Sequence, residues 1–145
     1  MSQLSSIILE IGTTTDSFLT LWDYPILPKH YFILWLAASG KIKTKDRLEF
    51  LEIDHTCVLY KTQSESIQHL FFACPFSSQI WATICSWMQA PITMCCLESA
   101  ASWISSNTSQ DPSLRFLHRL GFASTVYYIW TARNKGALEN FSLDR

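Results

Sequence analysis

The chain has 145 residues, a length typical of one domain or of one domain with loose ends. Its hydrophobic content of 48% and its six Trp exclude wholesale disorder, and such a chain can bury a core without disulfides. The formal net charge of -1 excludes a global basic field for nucleic acid, so any such contact would need a local patch.

The sequence predicts neither a secretory signal nor a membrane span. The first residues lack a positively charged start, and the longest apolar run, residues 31–38, is far shorter than the roughly 18 residues that a span requires. We therefore expect an intracellular protein, nuclear or cytoplasmic, with no membrane partner. Its five Cys are expected to be reduced thiols.

The first helix is predicted at residues 28–40, after a Ser/Thr-rich start. Pro28 suits the first position of a helix, and Gly40 suits the residue just past its end. The centre of this segment is apolar on every face, which predicts that it is the buried centre of the fold. Thr44 then suits the N-cap of a short helix to about Ile53, with Leu48, Leu51 and Phe50 facing inward.

Two further helices are predicted around Pro75. Thr62 to Glu65 fits a capping box, which predicts a helix from Gln63 to about Ala73. Pro75 blocks its continuation and suits the first turn of the next helix, which carries an apolar face and ends before Pro91.

The last predicted helix opens at Asp111-Pro112 and has Gly136 as a suitable end. Between residues 91 and 113 the composition is typical of a loop. No strand pattern is evident. The sequence thus predicts a mostly α fold: a small helical domain of five or six helices around a central buried helix, with a short Cys/His loop.

Catalytic motifs are missing from the sequence. It has no phosphate-binding or dinucleotide-binding glycine loop, no G-x-S-x-G and no Asp-Asp pair. His30, His55 and His118 have no Cys or Ser partner at a local spacing. We therefore expect a protein that is not an enzyme and has no small-molecule substrate.

Cys57, His69 and Cys74 are the candidate metal ligands. His69 lies on a predicted helix, Cys74 lies just past the end of that helix, and Cys57 lies on the loop before it. Thiolate and imidazole are the ligands of structural zinc sites, and short spacings across a turn or helix end bring them together. The alternative is that these residues are ordinary members of a core, since buried free Cys behave as small hydrophobes.

A run of motifs spans residues 21–81: P-K before L-W-L, then T-K-D-R-L, H-L-F-F-A-C-P-F and I-W. The matching residues are Trp22, Pro28, Lys29, Leu34, Trp35, Leu36, Gly40, Thr44, Asp46, Arg47, Leu48, Cys57, His69, Leu70, Phe71, Phe72, Cys74, Pro75, Phe76, Ile80 and Trp81. In these motifs the chain resembles the zinc-binding domain that follows the reverse transcriptase in plant non-LTR (LINE-type) retrotransposons. Residues 127–140 also resemble the I-W-x-x-R-N helix that often follows that domain.

The resemblance implies a zinc site with Cys57, His69 and Cys74 as ligands. Its second Cys position is occupied here by Tyr60, and a phenol is a poor zinc ligand beside thiolate. His55 and Cys85 are possible substitutes. Whether zinc is bound therefore stays open at this point, and we expect the aromatic core to keep the fold if the metal is lost.

The resemblance also implies a division of the chain and a role in handling nucleic acid. The expected parts are a poorly packed segment at 1–19, the zinc-binding-like domain at 20–90, a loop-rich linker at 91–113 and a C-terminal helix at 114–145 packed on the domain.

A local basic patch, defined as Lys41, Lys43, Lys45 and Arg47, is the candidate surface for weak binding of RNA or DNA. The same patch is also typical of a solvated turn. The alternative function is a helical protein-interaction module, or a retrotransposon remnant with a degraded zinc site and no selected activity.

Overall fold

The computed structural model of the protein describes residues 28–90, 95–106 and 111–143. The α-helices are α1 (Pro28–Ala38), α2 (Pro75–Met88), α3 (Leu97–Ser106) and α4 (Pro112–Leu143). A 3-10 helix spans Lys45–Leu48, and a π-helical turn spans His69–Ala73. Within these ranges the only strand-like pairing is a single antiparallel bridge between Thr56 and Ser64. The prediction of a small, mostly α domain is confirmed.

Helix α4 lies at the centre of the fold. It is 32 residues long and packs against α1, α2, α3 and the π-helical turn. One side of its middle part is fully buried, because Phe122, Ala123, Val126 and Ile129 have no exposed surface. The central helix is therefore α4, which continues past Gly136 to Leu143 rather than ending there as the sequence predicted.

Helix α1 is buried on one side only, rather than all round. Tyr31, Leu34 and Ala37 recur at helical spacing and face the core, whereas Phe32 is 53% exposed. Gly40 follows the helix with a φ of +67°, a backbone conformation that favours glycine, so the predicted end of this helix is confirmed.

The prediction of a short helix between Thr44 and Ile53 is mostly wrong. Only Lys45–Leu48 is helical, and Phe50, predicted to face inward, is 79% exposed. The physical reason is that tight turns follow this first turn, because the backbone N–H of Leu51 donates to the Leu48 carbonyl at 2.9 Å and that of Ile53 to the Leu51 carbonyl at 2.9 Å. The start of the segment is held by a distant residue. The backbone N–H of Lys45 donates to the Glu65 carboxylate at 3.0 Å, and that of Asp46 donates to the Glu65 carbonyl at 3.2 Å.

The helix predicted to start at Gln63 starts instead at Ile67. Ser66 caps it, because its hydroxyl accepts from the backbone N–H of His69 at 3.1 Å. Glu65 makes no capping box, since its buried carboxylate is bound by Arg133 of α4.

Helix α2 begins at Pro75, as predicted, and turns Ser77, Trp81, Cys85 and Met88 towards the core. The Trp81 ring stacks on Phe72 of the π-helical turn with 5.2 Å between ring centroids. This stacking fixes the π-helical turn against α2.

Helix α3 lies inside the segment that was expected to be a loop-rich linker at 91–113. It buries Leu97, Ala100, Ala101 and Ile104 in the common core. The expected poorly packed segment at 1–19 lies outside the described residues. No helix in the described ranges is both long and apolar enough to cross a membrane.

Candidate metal centre

The structure brings Cys57, His69 and Cys74 together in one buried cluster. One ligand atom from each residue lies within 4.8 Å of the other two. The two sulfur atoms are 3.9 Å apart, far longer than the roughly 2.05 Å of a disulfide. Two thiolates at about 2.3 Å from a tetrahedral zinc ion would be about 3.8 Å apart. The separation of the sulfurs therefore fits a shared metal ion.

Two backbone hydrogen bonds position the ligands. The backbone N–H of Cys57 donates to the Gln63 carbonyl at 2.8 Å, which closes the loop between these residues. The backbone N–H of Cys74 donates to the His69 carbonyl at 2.7 Å, a bond five residues apart that defines the π-helical turn. This turn holds His69 and Cys74 at its two ends, just before Pro75 starts α2.

His69 is a buried imidazole that lacks hydrogen bonds. Its side chain is only 6% exposed, and neither Nδ1 nor Nε2 has a partner in the described part of the chain. Leaving a buried polar atom unpaired costs about 1–3 kcal/mol, so such a group calls for an explanation. Burial lowers the pKa of His69, against a smaller opposing effect of the Glu65 charge. The neutral imidazole that results is the form that binds a metal ion.

The surroundings of Cys57 favour its neutral thiol, whereas a bound metal ion would favour the thiolate. Burial raises the pKa of the Cys57 thiol, and the neighbouring Cys74 raises it further. The backbone amides of Tyr60 and Leu59 lower it. The amides favour the thiolate, and a bound cation would deprotonate the thiol outright. The donor set therefore fits zinc: two sulfurs and one imidazole, all withdrawn from water.

The fourth ligand position of the resemblance, Tyr60, does not join the cluster. Its side chain is 48% exposed. The two possible substitutes do not join it either. His55 directs Nδ1 to the Lys45 carbonyl at 3.1 Å, and Cys85 lies in the core on α2, where burial raises its pKa. Among the described His, Cys, Asp and Glu residues, only the three predicted ligands meet.

Glu65 and Arg133 support the site, and sequence reasoning missed them. The Arg133 guanidinium donates to the fully buried Glu65 carboxylate through Nε and Nη2, with 2.8 Å between Nη2 and Oε1. The backbone N–H of Glu65 donates to the His55 carbonyl at 2.9 Å. Glu65 thus ties the Cys57 loop to α4. The only sequence signal was Arg133 itself, in the I-W-x-x-R-N motif.

The basic patch is partly engaged in the fold. Lys41 is exposed, with its ammonium 5.0 Å from the Trp35 ring centroid, and Lys43 and Arg47 are also exposed. Lys45 is half-buried, and its ammonium donates to the Thr56 carbonyl at 2.7 Å. Three of the four predicted residues therefore present charge to solvent, whereas Lys45 helps to hold the loop before Cys57.

One comparison with known proteins gives a match. The sequence model of a family described as zinc-binding in reverse transcriptase matches residues 1–81, more than half of the chain. The matched range contains Cys57, His69 and Cys74, whereas α3 and α4 lie beyond it. No curated protein and no solved structure matches the chain.

Proposed function

Because the chain belongs to the family of zinc-binding domains in reverse transcriptase, we propose that Cys57, His69 and Cys74 hold one zinc ion with a structural role. The observation that carries this proposal is the His69 ring, buried beside two thiols with both nitrogens unpaired. Zinc would supply the missing partner and would replace three separate buried polar groups by one coordinated unit.

A non-catalytic role is part of the proposal. Three protein ligands also occur in catalytic zinc sites, where a nearby carboxylate or imidazole acts as general base. Here the carboxylate whose charge acts on His69 is Glu65, and it is engaged by Arg133 and by the backbone N–H of Lys45. A carboxylate held in this way is unsuited to accept a proton from water.

The metal content of the purified protein tests the zinc proposal. We expect about one zinc per chain in the parent protein and loss of zinc in Cys74→Ser, which removes one of only three ligands. Cys85→Ser is the matched control, because Cys85 is an equally buried thiol outside the cluster. A parent protein without zinc, or zinc lost equally from both variants, would contradict the proposal.

We further propose weak nucleic-acid binding through the basic patch. Support comes from the exposure of Lys41, Lys43 and Arg47, while the net charge of -1 predicts low affinity. The expected result is binding of labelled single-stranded RNA at low salt that falls steeply as salt rises, measured by fluorescence anisotropy.

A triple variant, Lys41→Gln with Lys43→Gln and Arg47→Gln, sharpens that measurement. Loss of three phosphate contacts should lower the slope of log affinity against log salt by about 2. Lys135→Gln is the control, because Lys135 is an exposed cation on α4, outside the patch. Absence of any binding at low salt would sink the idea.

A second candidate function is a helical protein-interaction module, or a remnant of a LINE-type plant retrotransposon without selected activity. The exposed apolar side chains Phe50 and Trp87 favour the module, since large exposed apolar groups can mark contact sites. A pull-down before and after nuclease treatment separates the candidates. Partners that survive nuclease favour the module, and partners that disappear favour the nucleic-acid proposal.

A further inference from the structure

We propose that the metal ion in this chain has an open fourth coordination position that takes a small monodentate donor from solvent, with water as the resting occupant. This inference rests on the proposed zinc function and deepens it. The Cys that the resemblance implies at this position is replaced by Tyr60, and among the described His, Cys, Asp and Glu residues no fourth one joins the cluster.

Tyr60 lies in the loop that starts at Cys57. The hydrogen bond from the Cys57 backbone N–H to the Gln63 carbonyl, at 2.8 Å, closes this loop, and the Tyr60 carbonyl accepts from the backbone N–H of Thr62 inside it at 2.7 Å. The phenol is nevertheless 48% exposed. The chain therefore keeps the loop on which the fourth ligand of the resemblance would stand, but the residue there is a half-exposed phenol, which is a poor zinc ligand beside thiolate.

Other donors of the described chain are committed elsewhere. His55 faces the Lys45 carbonyl, and Glu65 is bound by Arg133. Cys96 accepts from the backbone N–H of Ser99 at 3.4 Å, at the start of α3. None of these groups belongs to the cluster of three. Zinc prefers four ligands, so with three protein donors the fourth is supplied from outside.

The burial of the site sets the size of that donor. Cys57 and Cys74 have no exposed surface, and His69 has only 6%. Because the three ligands are so deeply buried, we expect a donor of the size of water or azide to reach a metal ion there more readily than a bulky thiol such as glutathione. The site should therefore discriminate between donors by size.

Cobalt substitution provides the test, because the ligand-field absorption of Co²⁺ reports the number and type of its ligands. We expect the parent protein to bind Co²⁺ and its spectrum to change on titration with azide, but not with glutathione at the same concentration. The full chain is used, and its oligomeric state is measured with and without Co²⁺.

Tyr60→Cys is the informative variant, with Tyr60→Ser as the matched control. Cysteine at this position should close the site, so that the Co²⁺ spectrum no longer responds to azide. Its zinc affinity should rise by at least about tenfold, as a fourth thiolate adds its share of the binding free energy. The serine variant removes the phenol without adding a thiolate, and its spectrum should respond to azide as the parent does.

The possible outcomes distinguish failure of the open fourth position from failure of the zinc proposal itself. Failure of the parent to bind Co²⁺ or zinc would overturn both. Binding of Co²⁺ with a spectrum that azide leaves unchanged would overturn the open position alone. A dimer that forms only with metal would also overturn it, because a second copy would then supply the fourth ligand.

Discussion

Replacing Arg133 with Ala is expected to lower the free energy of unfolding by about 3–5 kcal/mol. The Glu65 carboxylate has no exposed surface and Arg133 is 12% exposed, so removal of the guanidinium leaves a buried charge without its partner. The same substitution removes the link between α4 and the loop that carries Cys57, because Glu65 contacts both Arg133 and the His55 carbonyl. Denaturant unfolding of the metal-free protein measures the loss.

Two comparisons assign that loss to the ion pair. Lys135→Ala removes an exposed cation two residues along the same helix and should change stability by about 0.5 kcal/mol or less. The double variant Glu65→Met with Arg133→Met should be more stable than Arg133→Ala, because no unpaired charge remains. Equal losses for Arg133→Ala and Lys135→Ala would show that the pair contributes nothing.

Replacing Trp81 with Ala is expected to cost about 3–5 kcal/mol as well. The Trp81 ring stacks on Phe72, its centroid lies 5.8 Å from that of Phe122 on α4, and its indole N–H donates to the Phe71 carbonyl. The substitution therefore opens a cavity where the π-helical turn, α2 and α4 meet, and it leaves a buried carbonyl unpaired.

Trp87→Ala is the control for this substitution, since Trp87 lies on the same helix and is 66% exposed.

A chelator titration measures what removal of the metal does to stability. We expect removal of zinc to lower the melting temperature less than Trp81→Ala does, because the core of α2 and α4 stands without the metal. Loss of the cooperative transition on adding chelator would show instead that the metal is required for folding.

The first residues of three helices could be predicted from the sequence, because they depend on local backbone chemistry. Pro28, Pro75 and Pro112 each begin a helix, and in each case a proline suits the first turn because it has no N–H to leave unpaired. Gly40 was predictable for a similar reason, since its positive φ is local to the residue. The cluster of Cys57, His69 and Cys74 could also be predicted, because these residue types at this spacing are typical of a zinc site.

Contacts between distant residues could not be predicted. Glu65 fitted a capping box by local pattern, but its partner is 68 residues away on α4, and a buried ion pair outweighs a cap. Glu65 also accepts from the backbone N–H groups of Lys45 and Asp46, another contact between distant residues that local pattern did not show. For the site, the sequence raised doubt about Tyr60, but only the structure shows that this residue is 48% exposed while Cys57, His69 and Cys74 are buried.

The ion pair between Glu65 and Arg133 also bears on how such domains can be inherited. The family match ends at residue 81, yet the guanidinium that neutralises Glu65 lies at 133. A copy of the matched segment transferred alone to another polypeptide would carry a buried acid without its base. We therefore expect the unit that folds stably to extend beyond the family boundary, and a relative with an acid at the position of Glu65 should be searched for an arginine well downstream of the Cys/His cluster.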